Sequence, residues 1–205
     1  MSTRWRLGVT APRFTPVLGA LIGALGGAVY WFGAQIWPTS IAVVLSMLAT
    51  ALLSTGLWKG ARPAESGVVG FVFSVLVKYN ALMALSAAKL PFALPANLAL
   101  GLIMIAGHAG SRALVVSVLA SPAHAARTPV SHADLGIALT LGFAPAALIG
   151  IPGLIGLAAA IFARIAFIAY IGRYRPPVTD AVLDVTQQLT EVCFYLGALG
   201  TWAYI

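Results

Sequence analysis

Seven predominantly apolar stretches follow one another along this chain: Pro16–Trp37, Ile41–Trp58, Gly67–Ala88, Ala96–Ala120, Leu135–Ile149, Pro152–Tyr170 and Thr179–Ile205. A membrane-spanning helix needs about 20 mostly apolar residues, and most of these stretches reach that length. Only 8% of the residues are charged and the mean hydropathy is +0.97, whereas a soluble domain carries roughly 25% charge. A water-soluble fold of 205 residues could not cover its surface with so little charge. The sequence predicts an all-α, polytopic transmembrane helical bundle of about seven spans, a single integral membrane domain over residues 1–205 in contact with the lipid bilayer.

Twelve Lys and Arg against five Asp and Glu leave the chain at +7. In a polytopic chain such cations set orientation rather than bind nucleic acid. Arg4, Arg6 and Arg13 precede the first stretch; Lys59 and Arg62 follow the second; Arg127, with His124 and His132, follows the fourth; Arg173 and Arg175 follow the sixth. The connections near Pro38 and Gly150 carry no charge, and the one after the third stretch holds only Lys89. Basic residues thus gather in every second loop, which predicts a cytoplasmic N-terminus and an outer C-terminus. The apolar run after Arg13 is too long for a secretory h-region, so it reads as a retained first helix. The fifth stretch is short and interrupted by Pro145. Cys193 has no second cysteine to pair with and reads as a packing residue. Gly19, Gly23, Gly26 and Gly27 lie near one face of the first helix, which predicts a close helix contact there.

Ionisable groups inside spans are costly, roughly 2.5–3.5 kcal/mol each on insertion scales, and usually face a partner or a cavity. Lys78 lies halfway along the third stretch, while His108, Ser111 and Arg112 share a face of the fourth. Arg164 is close enough to an inner end to snorkel. In the seventh stretch Asp180, Asp184, Gln187 and Glu191 recur at steps of four, three and four, on one helix face. A solvated helix end accounts for Asp180 and Asp184; it does not account for Glu191, which leads into Val192-Cys193-Phe194-Tyr195. Carboxylates facing Lys78, Arg112, Arg173 and Arg175 suggest a polar chamber open to the cytoplasm. Such a chamber suits a phosphorylated ligand, with cations on phosphate oxygens and carboxylates on a divalent metal. No Walker loop, GxGxxG or HExxH is present.

Several of these residues also stand in motifs. Thr179-Asp180 followed by Gln187-Gln188-Leu189-Thr190-Glu191 resembles the C-terminal signature of the cobalamin synthase family, the adenosylcobinamide-GDP ribazoletransferases. Phe14-Thr15-Pro16-Val17-Leu18-Gly19, Leu53-Ser54-Thr55-Gly56, Gly67-Val68-Val69-Gly70, Val77-Lys78-Tyr79 and His108-Ala109-Gly110-Ser111-Arg112 resemble other family stretches in the same order. The resemblance implies a transferase of the bacterial inner membrane with its active side cytoplasmic. It would join α-ribazole to adenosylcobinamide-GDP with release of GMP, using Mg²⁺, and the sequence leaves room for a homo-oligomer. By the same resemblance Asp180 and Glu191 would be catalytic, and Asp180, Asp184 and Glu191 would ligate metal. Lys78, Arg112, Ser111, Thr179 and Gln188 would bind substrate.

One departure stands against the match. After its second span the family carries an aspartate-rich motif, whereas Leu57 to Ser66 holds no aspartate and the first in this chain is Asp134. The chain is also shorter than the family pattern. Two rivals to the transferase therefore remain, a non-catalytic relative that binds a corrinoid or nucleotide-linked ligand and a small transporter with a charged pathway. The lost aspartates predict weak or absent transfer by this chain alone, with ligand binding retained.

Overall fold

The computed structural model describes residues 12–55, 68–87, 96–121, 130–173 and 179–202. Among these residues there is no strand. After a short 3-10 turn at Pro12–Phe14 come α1 (Thr15–Ile36), α2 (Thr39–Thr55), α3 (Val68–Ser86), α4 (Ala96–Leu119), α5 (His132–Ile149), α6 (Ile151–Gly172) and α7 (Asp180–Trp202). Each corresponds to one of the seven apolar stretches. In lipid nothing but the helix itself can satisfy the backbone, so a long apolar run has little alternative to an α-helix. Leu57 to Ser66 and the loop residues Lys59, Arg62, Lys89, His124, Arg127 and Arg175 lie outside the described residues.

Four helices among the described residues are long and apolar enough to cross a membrane on those grounds alone: Pro12–Ile36, Leu98–Leu119, His132–Ile149 and Ile151–Gly172. The apolar parts of α2 and α3 are shorter, and three carboxylates lower the hydropathy of α7. The outer surface is what a bilayer requires. Leu148, Phe162 and Ile36 are 79%, 74% and 70% exposed, and Phe32, Phe73 and Leu21 are also exposed. The chain is an integral membrane protein.

Of the four long apolar helices α4 is the most enclosed by protein. Ala106, His108, Ala109, Ser111, Arg112, Ala113, Val115 and Val118 on this one helix are all buried. Gly19, Gly23 and Gly27 of α1 lie along it. A methyl group at Gly23 would stand 2.5 Å from the Met104 carbonyl oxygen, and one at Gly27 would stand 2.7 Å from the Gly101 Cα. The two backbones therefore touch, as the glycine pattern predicts. The opposite side of α4 meets α5 and α7, and α6 packs mainly on α7.

Two local features fix the frame. Gly150 alone separates α5 from α6, at φ 84°, in the region that favours glycine. Pro145 sits inside α5 without breaking it; the helix runs on to Ile149. The lost hydrogen bond falls in the last turn and a half, where little helix remains to be disturbed. At the other end of α5, Ser131 caps the helix by accepting from the Asp134 amide at 3.0 Å. Asp134 pairs with Arg13 at 3.7 Å, so the start of α5 is tied to the start of α1.

Candidate functional site

Lys78 is the tenth residue after the start of α3, His108 the eleventh before the end of α4, and Glu191 the eleventh after the start of α7. At a rise of 1.5 Å per residue each lies about 15–17 Å from the same end of the bundle, near the middle of a 30 Å hydrocarbon layer. The three meet there. Lys78 Nζ donates to Glu191 Oε1 at 2.5 Å, Tyr195 Oη donates to the same oxygen at 3.0 Å, and His108 Nε2 stands 3.3 Å from it. The His108 approach is close enough for ion pairing but lacks the alignment of a hydrogen bond. Glu191 is 4% exposed and His108 1%. An unpaired carboxylate in such a place would be prohibitive, and the ammonium of Lys78 is what makes it tolerable.

Glycine shapes this junction. A methyl group at Gly107 would stand 2.6–2.9 Å from three atoms of the Tyr195 ring and hydroxyl. The missing side chain is the space in which Tyr195 reaches Glu191. Gly19 does the same for Arg112, whose Cδ would be 2.7 Å from an added methyl.

Arg112 lies one turn closer to that same end, about 10 Å from it, and is 7% exposed. Glu191 and Asp184 are its electrostatic partners, and its Nε has no hydrogen-bond partner. A buried guanidinium N–H without an acceptor is costly and is a donor ready for an anion or a water. Asp184, Gln187 and Glu191 climb one face of α7 past Arg112 to Lys78, so charge runs as a column from the helix end to mid-membrane. Below it Val115, Val118 and Leu183 form a small apolar cluster.

The other expected residues take more local parts. Ser111 is buried and its hydroxyl donates to the His108 carbonyl at 3.2 Å. Thr179 is exposed and caps α7, accepting from the Val182 amide at 3.4 Å. Gln188 is half-buried. Thr186 and Thr190 donate back to their own helix, to the carbonyls of Val182 and Thr186, which satisfies their buried hydroxyls. Arg164 does not simply snorkel: its Nη2 donates to the Ser117 carbonyl at 3.0 Å, near the end of α4. Tyr195 is the site residue that the sequence reading passes over.

The column fits a divalent cation only in part. Asp184 and Glu191 share a face but stand about 10 Å apart along the helix. Among the described residues no three His, Cys, Asp or Glu side chains come together as a metal group. A dication on Glu191 would lie beside the Lys78 ammonium. At 4 Å and an effective dielectric of 20 that repulsion is roughly 8 kcal/mol. Asp180 and Asp184, one turn apart at the start of α7, keep a spacing that a shared cation can use; the Asp180 side chain lies outside the described residues.

Two apolar grooves open elsewhere. One, of about 670 Å³, lies between α6 and α7 and is lined by Phe162, Phe167, Tyr170 and Cys193; the other, of about 330 Å³, lies between α1 and α2. Neither includes a residue of the column.

No family model matches the chain, and no solved structure matches it. Curated proteins do. The adenosylcobinamide-GDP ribazoletransferase of Leptothrix cholodnii is 32% identical, with 93% of this chain and 85% of that protein covered. Those of Ralstonia nicotianae and Shewanella amazonensis are 27% and 26% identical, each over 94% of this chain. The Leptothrix alignment spans 231 positions but takes in only 93% of 205 residues, so roughly 40 positions of that relative have no counterpart here. At this identity and coverage the chain belongs to the adenosylcobinamide-GDP ribazoletransferase family.

Proposed function

We propose that the chain joins α-ribazole to adenosylcobinamide-GDP and releases GMP, at the cytoplasmic face of a bacterial inner membrane. The observation that carries this reading is the 32% identity to a ribazoletransferase over 85% of that protein's length. The site supports it chemically. A hydroxyl oxygen of α-ribazole attacks the phosphorus next to cobinamide, the bond from that phosphorus to the bridging oxygen of GMP breaks, and the hydroxyl proton departs. Reactions of this kind depend on positioning and on cations that balance phosphoryl charge.

In this chain Arg112 is the cation best placed to do so, with one N–H uncommitted. Lys78 adds positive charge deeper in the column. Asp180 and Asp184 would hold Mg²⁺, which when bound offsets charge on the pyrophosphate. Thr179 and Gln188 lie along the same helix, within reach of a ligand entering from its start.

One sequence fact favours a second reading, a ligand-binding relative without turnover: Leu57 to Ser66 contains no aspartate. A single experiment separates the two. Purified protein in nanodiscs receives adenosylcobinamide-GDP, α-ribazole and Mg²⁺; calorimetry reports binding and chromatography reports GMP. Slow GMP release that needs both substrates supports the transferase. Binding without GMP supports the second reading. Neither binding nor release overturns both.

A further inference from the structure

Three helices converge on one oxygen. Lys78 arrives from α3, His108 from α4, and Glu191 and Tyr195 both belong to α7, one turn apart. Oε1 already faces two hydrogen-bond donors and an imidazole nitrogen, and Glu191 as a whole is only 4% exposed, so little of the carboxylate is open to a further ligand. It lies beside an ammonium that would repel any metal. We propose that Glu191 is a positioning residue, the buried counter-ion of Lys78 that pins α3 against α4 and α7, and that it neither binds metal nor touches substrate.

Lys78 needs such a partner. Its neighbours on α3 include Val75, Leu76 and Val77, all exposed apolar side chains, and without Glu191 that part of the helix offers the ammonium only hydrocarbon. Among its neighbours α3 touches α7 most, with α2 and α4 sharing the rest, so the ion pair sits on the largest seam that holds α3 in place. If Glu191 is removed, Lys78 keeps no carboxylate partner; if Lys78 is removed, Glu191 keeps only Tyr195, His108 and the more distant Arg112; if both are removed, the larger part of the penalty disappears. The enzymatic part of the test rests on the transferase reading, whereas the structural part does not.

The test is a double-mutant cycle in nanodiscs with Lys78→Met, Glu191→Gln and the pair combined. Each single variant lowers the unfolding midpoint by about 10 °C, and the double variant returns to within about 3 °C of the parent. Spin labels at Phe73 on α3 and Val185 on α7, both exposed, with Cys193→Ser, report the seam directly. Their distance distribution broadens in each single variant and narrows again in the double. In turnover, Glu191→Gln lowers kcat while the half-saturating Mg²⁺ concentration stays within about two-fold. A metal ligand would shift that concentration by about 10-fold or more.

Additive losses in the cycle, unchanged label distances in the single variants, or a 10-fold rise in the Mg²⁺ requirement would each overturn the assignment. An inert parent protein with an intact rescue would instead defeat the transferase reading and leave the counter-ion standing.

Discussion

Two helices of this bundle look alike as sequences and occupy opposite places. The apolar segments of α4 and α6 are both 22 residues long, with mean hydropathies of 1.7 and 2.2. Yet 78% of the most apolar window of α4 is buried among protein and only 17% of that of α6. Hydropathy therefore decides that a helix enters the bilayer, not how far it stands from lipid. What separates the two is the minority of residues. Both helices carry glycines against which neighbours pack, Gly107 on α4 and Gly153 and Gly156 on α6, but α4 adds His108, Ser111 and Arg112, all buried. α6 carries a single charge, Arg164, and spends it on a carbonyl of α4. Without a hydrophobic force between helices in lipid, close packing and polar contacts choose the centre.

The contrast can be broken most severely on the α1 side of α4. Gly23→Val places carbon within 2.5–2.8 Å of the backbone of Met104 and Ile105, which cannot move aside as a side chain could. A loss of at least about 3 kcal/mol is expected, seen as aggregated or unrecoverable protein in size-exclusion chromatography. A monodisperse variant with an unchanged midpoint would mean that α1 and α4 are not in backbone contact.

The two arginines sharpen the comparison next. Arg112→Met should lower turnover about 100-fold, the usual effect of removing one charge-stabilising donor. Arg164→Met should leave turnover within about three-fold and cost about 1 kcal/mol of stability for one hydrogen bond. Equal effects on turnover would erase the distinction between the buried helix and the outer one. Gly107→Ala comes third. It pushes the Tyr195 ring away and strains its bond to Glu191, for about 1–3 kcal/mol in a denaturant titration. The smallest effect belongs to α6: Phe162→Ala, at a residue 74% exposed, should change stability by no more than about 0.5 kcal/mol in a bilayer.

Much of the fold is legible in the sequence because the bilayer limits the choices. The predicted run Pro16–Trp37 is α1 displaced by one residue, and Pro152–Tyr170 is α6 shortened by three. The candidate site is legible where an ionisable residue interrupts an apolar run, which is why Lys78, His108, Arg112 and Glu191 stand out. Tyr195 does not, since a tyrosine among apolar residues is ordinary; the available clue is its spacing of four from Glu191, which puts both on one face. Sharing a face is also where the metal expectation weakens. Asp180, Asp184 and Glu191 align on α7, but periodicity says nothing of the rise between them. The partner of Arg164 is 47 residues away in the chain, and no local pattern could reveal it.

The ion pair of Lys78 and Glu191 joins residues 113 positions apart, and that separation has a consequence during synthesis. At 5–20 residues per second, about 6–23 s pass between translation of the lysine and translation of its partner. Throughout that interval α3 has left the ribosome with a cation that its own span cannot satisfy. The helix must wait at the insertion machinery, or lie shallow with Lys78 at the headgroups, until α7 arrives. Nascent chains arrested before Glu191 should therefore leave the α3 segment accessible to water-soluble thiol reagents at a cysteine placed beside Lys78, and chains arrested after α7 has emerged should not.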